Sequence, residues 1–116
     1  MRGIEGEQVL LRLILSESRH HEHHALFRKL LTVLREEGMA GTTVFRGIAG
    51  FGHDRSIHTM DIEVASVGLP IVIEVIDTQA HIDRVLPKVE ALMKGGVIML
   101  ERAKVIRYTK GNQASS

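Results

Sequence analysis

The sequence contains no cysteine in its 116 residues, so it can build neither a disulfide framework nor a thiolate nucleophile. Such a composition is compatible with a reducing cytosol. Aromatic residues are nearly as scarce, with no tryptophan, one tyrosine (Tyr108) and three phenylalanines. That is too little to make a stacking platform for single-stranded nucleic acid. Charge of one sign is missing as well: fifteen basic residues face fourteen acidic ones, and a basic field for nucleic acid has no support. Long apolar runs are absent too, and Glu5 and Glu7 interrupt the N-terminal residues at once. Neither a leader nor a membrane span is expected, and the chain reads as cytoplasmic.

Catalytic patterns are also wanting. No Gly-x-Ser-x-Gly elbow, phosphate-binding loop or His-Glu-x-x-His pattern occurs. Ser56, His58 and Asp61 are close in sequence, but triads are recognised by geometry and not by proximity. Glu36 and Glu37 end a helical pattern and read as solvated surface. The chain is expected not to be an enzyme.

What is present is a regular alternation of periods. The length fits one domain, expected over residues 1–109, with the small polar residues 110–116 as a loose tail. Residues 8–16 have a strand period with apolar residues in both sets. From His21 to Glu37, Leu26, Phe27, Leu30, Leu31 and Leu34 recur at helical spacing, and Gly38 is the expected stop. Thr42–Ile48 reads as a second strand leading into Ala49-Gly50-Phe51-Gly52. His58, Met60, Ile62 and Val64 alternate with polar residues as a half-exposed strand, and Ile71–Ile76 forms an apolar one. A second helix should start at Asp77 or Thr78 as N-cap, bend at Pro87 and run to Met93. Lys94-Gly95-Gly96 closes it, and Val97–Tyr108 is the last strand.

The order β-α-β-β-β-α-β is the split βαβ pattern of an α+β, ferredoxin-like sandwich with one extra strand or hairpin after the second strand. Both helices would cover one sheet face. Several strands are nonetheless apolar on both faces, so the other face must meet something, and a second copy of the chain is the simplest candidate.

Five segments carry a family resemblance: Gly50-Phe51-Gly52, His58-Thr59, Leu69-Pro70, Lys94-Gly95-Gly96 and Val105-Ile106-Arg107. In this order and at this spacing they resemble the PII signal-transduction superfamily. The string Arg46-Gly47-Ile48-Ala49-Gly50-Phe51-Gly52 is closer still to an uncharacterised PII-like branch, a domain of unknown function whose members are sometimes associated with fluoride-exporting channel proteins. The resemblance implies a homotrimer that binds an adenine nucleotide in clefts between subunits and controls a partner such as a membrane transporter or channel. By position it implies nucleotide-binding roles for Thr43, Gly50, Gly52, Asp54, Gly95, Gly96 and Arg107. The departures count equally. Val97 stands where the family has a lysine after the glycine turn, and Thr109 stands where it has a second arginine. Such a thinned phosphate-binding set implies AMP or ADP in preference to ATP. No tyrosine lies between Gly52 and Leu69, so uridylylation there is excluded.

Each candidate also has a plainer reading. The Gly50-Phe51-Gly52 bend is either an anion-binding nest of backbone N–H groups or a simple turn with Phe51 packed inward. Arg107 either offers a two-pronged phosphate contact or is a solvated charge at a strand end, and Arg46 and Arg55 share that ambiguity. Lys94 serves phosphate or compensates a helix dipole. In the cluster His20, His21, His23 and His24, the pair His20 and His24 share a helix face suited to a transition metal. The alternative is a solvated, pH-sensitive first turn. A metal-tolerance trimer resembling the CutA proteins is the rival functional reading.

Overall fold

The structure is a computed structural model that describes residues 3–16, 21–51, 58–59 and 69–109. Its elements are β1 (Gly6–Ser16), α1 (His21–Glu36), β2 (Thr42–Arg46), β3 (Ala49–Gly50), β4 (His58–Thr59), β5 (Pro70–Asp77), α2 (Gln79–Leu92) and β6 (Val97–Val105). Four strands form one sheet in the order β2-β5-β1-β6, and every neighbouring pair is antiparallel. Strands β3 and β4 pair separately as a short ribbon. The extra hairpin thus stands outside the main sheet, and the rest is the expected ferredoxin-like α+β arrangement. Residues 60–65 of the half-exposed strand read from the sequence lie outside the described residues.

Strand alternation decides which residues make the core. Val9, Leu11, Leu13 and Leu15 of β1 join Ile71, Ile73 and Val75 of β5 on the helix side. Onto them pack Leu30 and Leu34 of α1, Ile82, Val85 and Val89 of α2, and Met93 just after it. Helix α2 begins at Gln79 because Thr78 is its N-cap, the Oγ1 accepting from the His81 N–H at 3.2 Å. Asp77 therefore ends the strand and leaves the cap to its neighbour. Pro87 lies inside α2, which continues through it to Leu92. It is exposed, and the apolar stripe runs past it.

Two strands stop earlier than their periodicity suggests. β2 ends at Arg46: the Gly47 N–H still donates in register to the Pro70 carbonyl at 2.8 Å, but Pro70 has no N–H to return, so the ladder stops two residues before Ile48. β6 ends at Val105, and the chain turns so that the Tyr108 N–H meets Glu5 Oε2 at 2.9 Å and the Tyr108 hydroxyl donates to the Ala40 carbonyl at 2.6 Å.

The helices are clamped on their outer side by Glu37, which accepts from Lys88 Nζ and lies 3.7 Å from Arg84 Nε. The Lys88 hydrogen bond is the main reason the Glu37 carboxyl is held below its ordinary value, with both cations adding to it and burial opposing. A carboxylate depressed on folding stabilises the fold above its unfolded-state pKa, and that contribution is lost as pH falls through the folded value. Glu37→Gln should therefore melt below the parent at pH 7. The difference should vanish as both are acidified well below about pH 4, as thermal unfolding at the two pH values would show.

Candidate functional site

The strand registers sort the candidate residues by sheet end. Arg46 lies beside Ile71, Leu15 beside Ile71 and Ile14 beside Val97 at one end. Thr42 beside Val75, Val9 beside Asp77 and Gly6 beside Val105 lie toward the other. The first end therefore holds the bend through Gly47 to Gly50 and the turn Gly95–Gly96. The second holds Thr43, near the start of β2, and Arg107, two residues past β6. At about 3.3 Å per strand residue, the length of β6 alone separates Gly96 from Arg107 by roughly 26 Å. One chain does not bring the two groups together. Gly52 and Asp54 lie outside the described residues.

The glycines at the first end are there for close approach. A Cβ on Gly47 would lie 2.6 Å from the Pro70 ring. Gly96 has φ +91°, and a Cβ there would lie 2.4 Å from the Ile14 carbonyl oxygen. A Cβ added at Gly50 or Gly95 would meet nothing within 4 Å, so the side-chain direction there leaves room for another molecule. Phe51 and Ile48 are exposed beside them, which corrects the simple-turn reading in which Phe51 packs inward. Arg107 is exposed at the other end, as is Thr43.

Beyond these, the structure places a charged group that the sequence reading passed over. On the sheet face away from the helices, Arg12 Nε donates to Glu74 Oε2 at 2.8 Å and its Nη1 lies 3.4 Å from Glu101 Oε1. The Glu74 hydrogen bond is the main reason the guanidinium is held above its ordinary pKa. The signal was in the sequence: Arg12 and Glu74 each interrupt an apolar strand in the middle.

As for metal, His24 lies in α1 and His20 lies outside the described residues. Among the described residues, no group of three or more His, Asp or Glu side chains could hold an ion. No helix among them is long and apolar enough to cross a membrane.

Residues 8–105 match the DUF190 family, described as "Uncharacterized ACR, COG1993". The chain belongs to the DUF190 family. It is 34% identical over 99 residues to a UPF0166 protein of Methanocaldococcus jannaschii, covering 84% of this chain and 91% of that one. This DUF190 chain also shares its fold with CPII, a nitrogen regulatory PII-like protein from Thiomonas intermedia K12 solved with ADP, AMP and bicarbonate. There the TM-score is 0.61 and the identity 16%, over 85% of this chain and 94% of CPII. A divalent cation tolerance protein, CutA1, from Thermus thermophilus is similar too, at a TM-score of 0.56 and 15% identity over 93% and 92% of the two chains. The DUF190 fold is thus PII-like, as the five sequence segments implied.

Proposed function

We propose that this DUF190 chain is a cytoplasmic, non-enzymatic regulatory protein. It assembles as a homotrimer, binds an adenine nucleotide at subunit junctions and controls a partner such as a transporter or channel. The observation that carries the reading is the division of the candidate residues between opposite ends of β6. A pocket containing both a glycine bend and Arg107 needs the first from one copy and the second from another. Thr43, Gly50, Gly95, Gly96 and Arg107 would then share a cleft, and Gly52 and Asp54 are assigned to it by sequence position alone. The PII-like protein solved with ADP and AMP supports the choice of ligand. Thr109, in place of a second arginine, supports AMP or ADP over ATP. A ligand contacting the bend biases the segment beyond it between two arrangements, which is how binding becomes a signal.

Isothermal calorimetry with AMP, ADP and ATP, alongside light scattering of the eluted protein, tests this. The expected result is a trimer that binds AMP or ADP more tightly than ATP. Arg107→Ala should weaken binding by about tenfold to a hundredfold, the value of a charge-assisted hydrogen bond, while leaving the melting of the ligand-free protein unchanged. No heat from any of the three at millimolar concentration would remove the ligand from the reading.

A further inference from the structure

The sheet face away from the helices is built of cross-strand rows. One runs Phe45–Val72–Ile14–Val97 and is wholly apolar. The next runs Thr43–Glu74–Arg12–Met99, and the third Ile76–Leu10–Glu101. Phe45, Val97 and Met99 are 49%, 44% and 38% exposed in the single chain, far more than the helix-side core. A charged group set among such rows is costly to bury unless each of its polar atoms finds a partner.

Within one chain that requirement is half met. A guanidinium carries five N–H donors in a rigid fork. Arg12 uses one on Glu74 at good length and another on Glu101 at 3.4 Å, the outer limit of a hydrogen bond. Arg12 and Glu74 are both 28% exposed, whereas Glu101, on the edge strand β6, is 57% exposed. The patch holds one positive and two negative groups among the described residues of this face. Laid blindly against its own image it would repel.

We infer that the face is covered by a second copy of this chain, and that Arg12 keeps its own Glu74 while taking up Glu101 of the neighbouring copy. The pairing rests on the trimeric reading above, and it fixes the register in which the sheets meet. A ring assembly joins unlike positions, the edge of one subunit to the centre of the next. Glu101 stands at such an edge and Arg12 at such a centre. Repeated around the ring, the contact uses donors left over in the single chain and replaces the long contact within it. Registers that set the guanidinium against the neighbour's apolar side chains leave its remaining donors unmet, so the pair disfavours them.

Because the natural sequence has no cysteine, single-cysteine variants give an unambiguous test. Arg12→Cys and Glu101→Cys are made in separate, differently tagged chains, mixed, unfolded and refolded together, and treated with a short bismaleimide, which spans the roughly 10 Å between stacked sheets that a disulfide does not. Neither chain holds two cysteines to link within itself. The expected product is a covalent species joining the two tags; an assembled trimer without it overturns the pairing. In case the cysteine variants fail to assemble, Glu101→Gln and Glu101→Arg are sedimented beside the parent. Glu101→Gln should raise the concentration at which trimers dissociate by about tenfold or more, and the charge reversal further. Dissociation at the parent concentration for both would sink the pairing and leave the trimer standing. A parent chain that is itself monomeric sinks the trimer and the pairing together.

Discussion

Asp77→Ala is expected to lower the unfolding free energy by about 3 kcal/mol, from two charge-assisted hydrogen bonds lost at once. The Asp77 side chain is fully buried at the end of β5. Its Oδ2 accepts from the Ala40 N–H at 2.8 Å and its Oδ1 from the Thr78 N–H at 2.7 Å. The carbonyl of the same residue, in the next peptide, accepts from the Tyr108 hydroxyl at 2.6 Å. Through one carboxyl group, then, the loop entering β2, the start of α2 and the segment after β6 are tied to a common point. Alanine removes the acceptor, leaves two N–H groups without it and opens a small void beneath the helices. For a chain of this size the loss corresponds to a melting point lower by roughly 10 °C. Asp77→Asn should cost about half as much, since its amide offers one acceptor oxygen and turns a donor toward the other N–H. Thermal and urea unfolding of the three proteins at equal concentration measure both values. A melting point within a degree or two of the parent for Asp77→Ala would show that the tie carries no weight.

This tie marks the limit of what the sequence discloses. Periodicity was enough for the strands and helices of the core, because Val9 to Leu15, Ile71 to Val75 and Leu30 to Val89 repeat at the spacing of the face they bury. The glycine segments gave the family. Asp77, however, reads equally well as a helix cap, and only the arrival of Ala40, far away in sequence, makes it a buried acceptor. The same holds at the ends of β2 and β6. The apolar alternation runs on through Ile48 and through Tyr108, but Pro70, which has no N–H for the ladder, stops the one strand, and Glu5 and Ala40 hold the chain after the other. Of the candidate site, the residue types were legible, and so was the last strand that parts Gly96 from Arg107; the register that brings the bend after β2 and the Gly95–Gly96 turn to one sheet end was not. That Gly96 and Arg107 occupy opposite ends of one strand follows from β6 running nine residues without a break. From that separation comes the second copy in the proposed site.

Gly96→Ala should be nearly as damaging as the loss of Asp77, at about 3 kcal/mol, and for a different reason. The backbone at Gly96 is left-handed, with φ +91°, which an L side chain resists. An added Cβ would also lie 2.4 Å from the Ile14 carbonyl oxygen and 3.2 Å from Met93 Cε. The methionine end can move aside, but the carbonyl belongs to the residue paired with Val97 at the first rung between β1 and β6. Relief of the clash must pull that rung apart. Gly95 has neither constraint: its φ is ordinary and a Cβ there meets nothing within 4 Å. Gly95→Ala should change stability by no more than about 0.5 kcal/mol. The pair thus divides the turn into a glycine the fold requires and one it does not. If the open space at Gly95 admits a nucleotide, Gly95→Ala will weaken AMP or ADP binding in calorimetry while melting like the parent. Unaltered affinity in that variant would show that the turn serves the sheet alone, leaving ligand recognition to the bend around Gly50 and to Arg107.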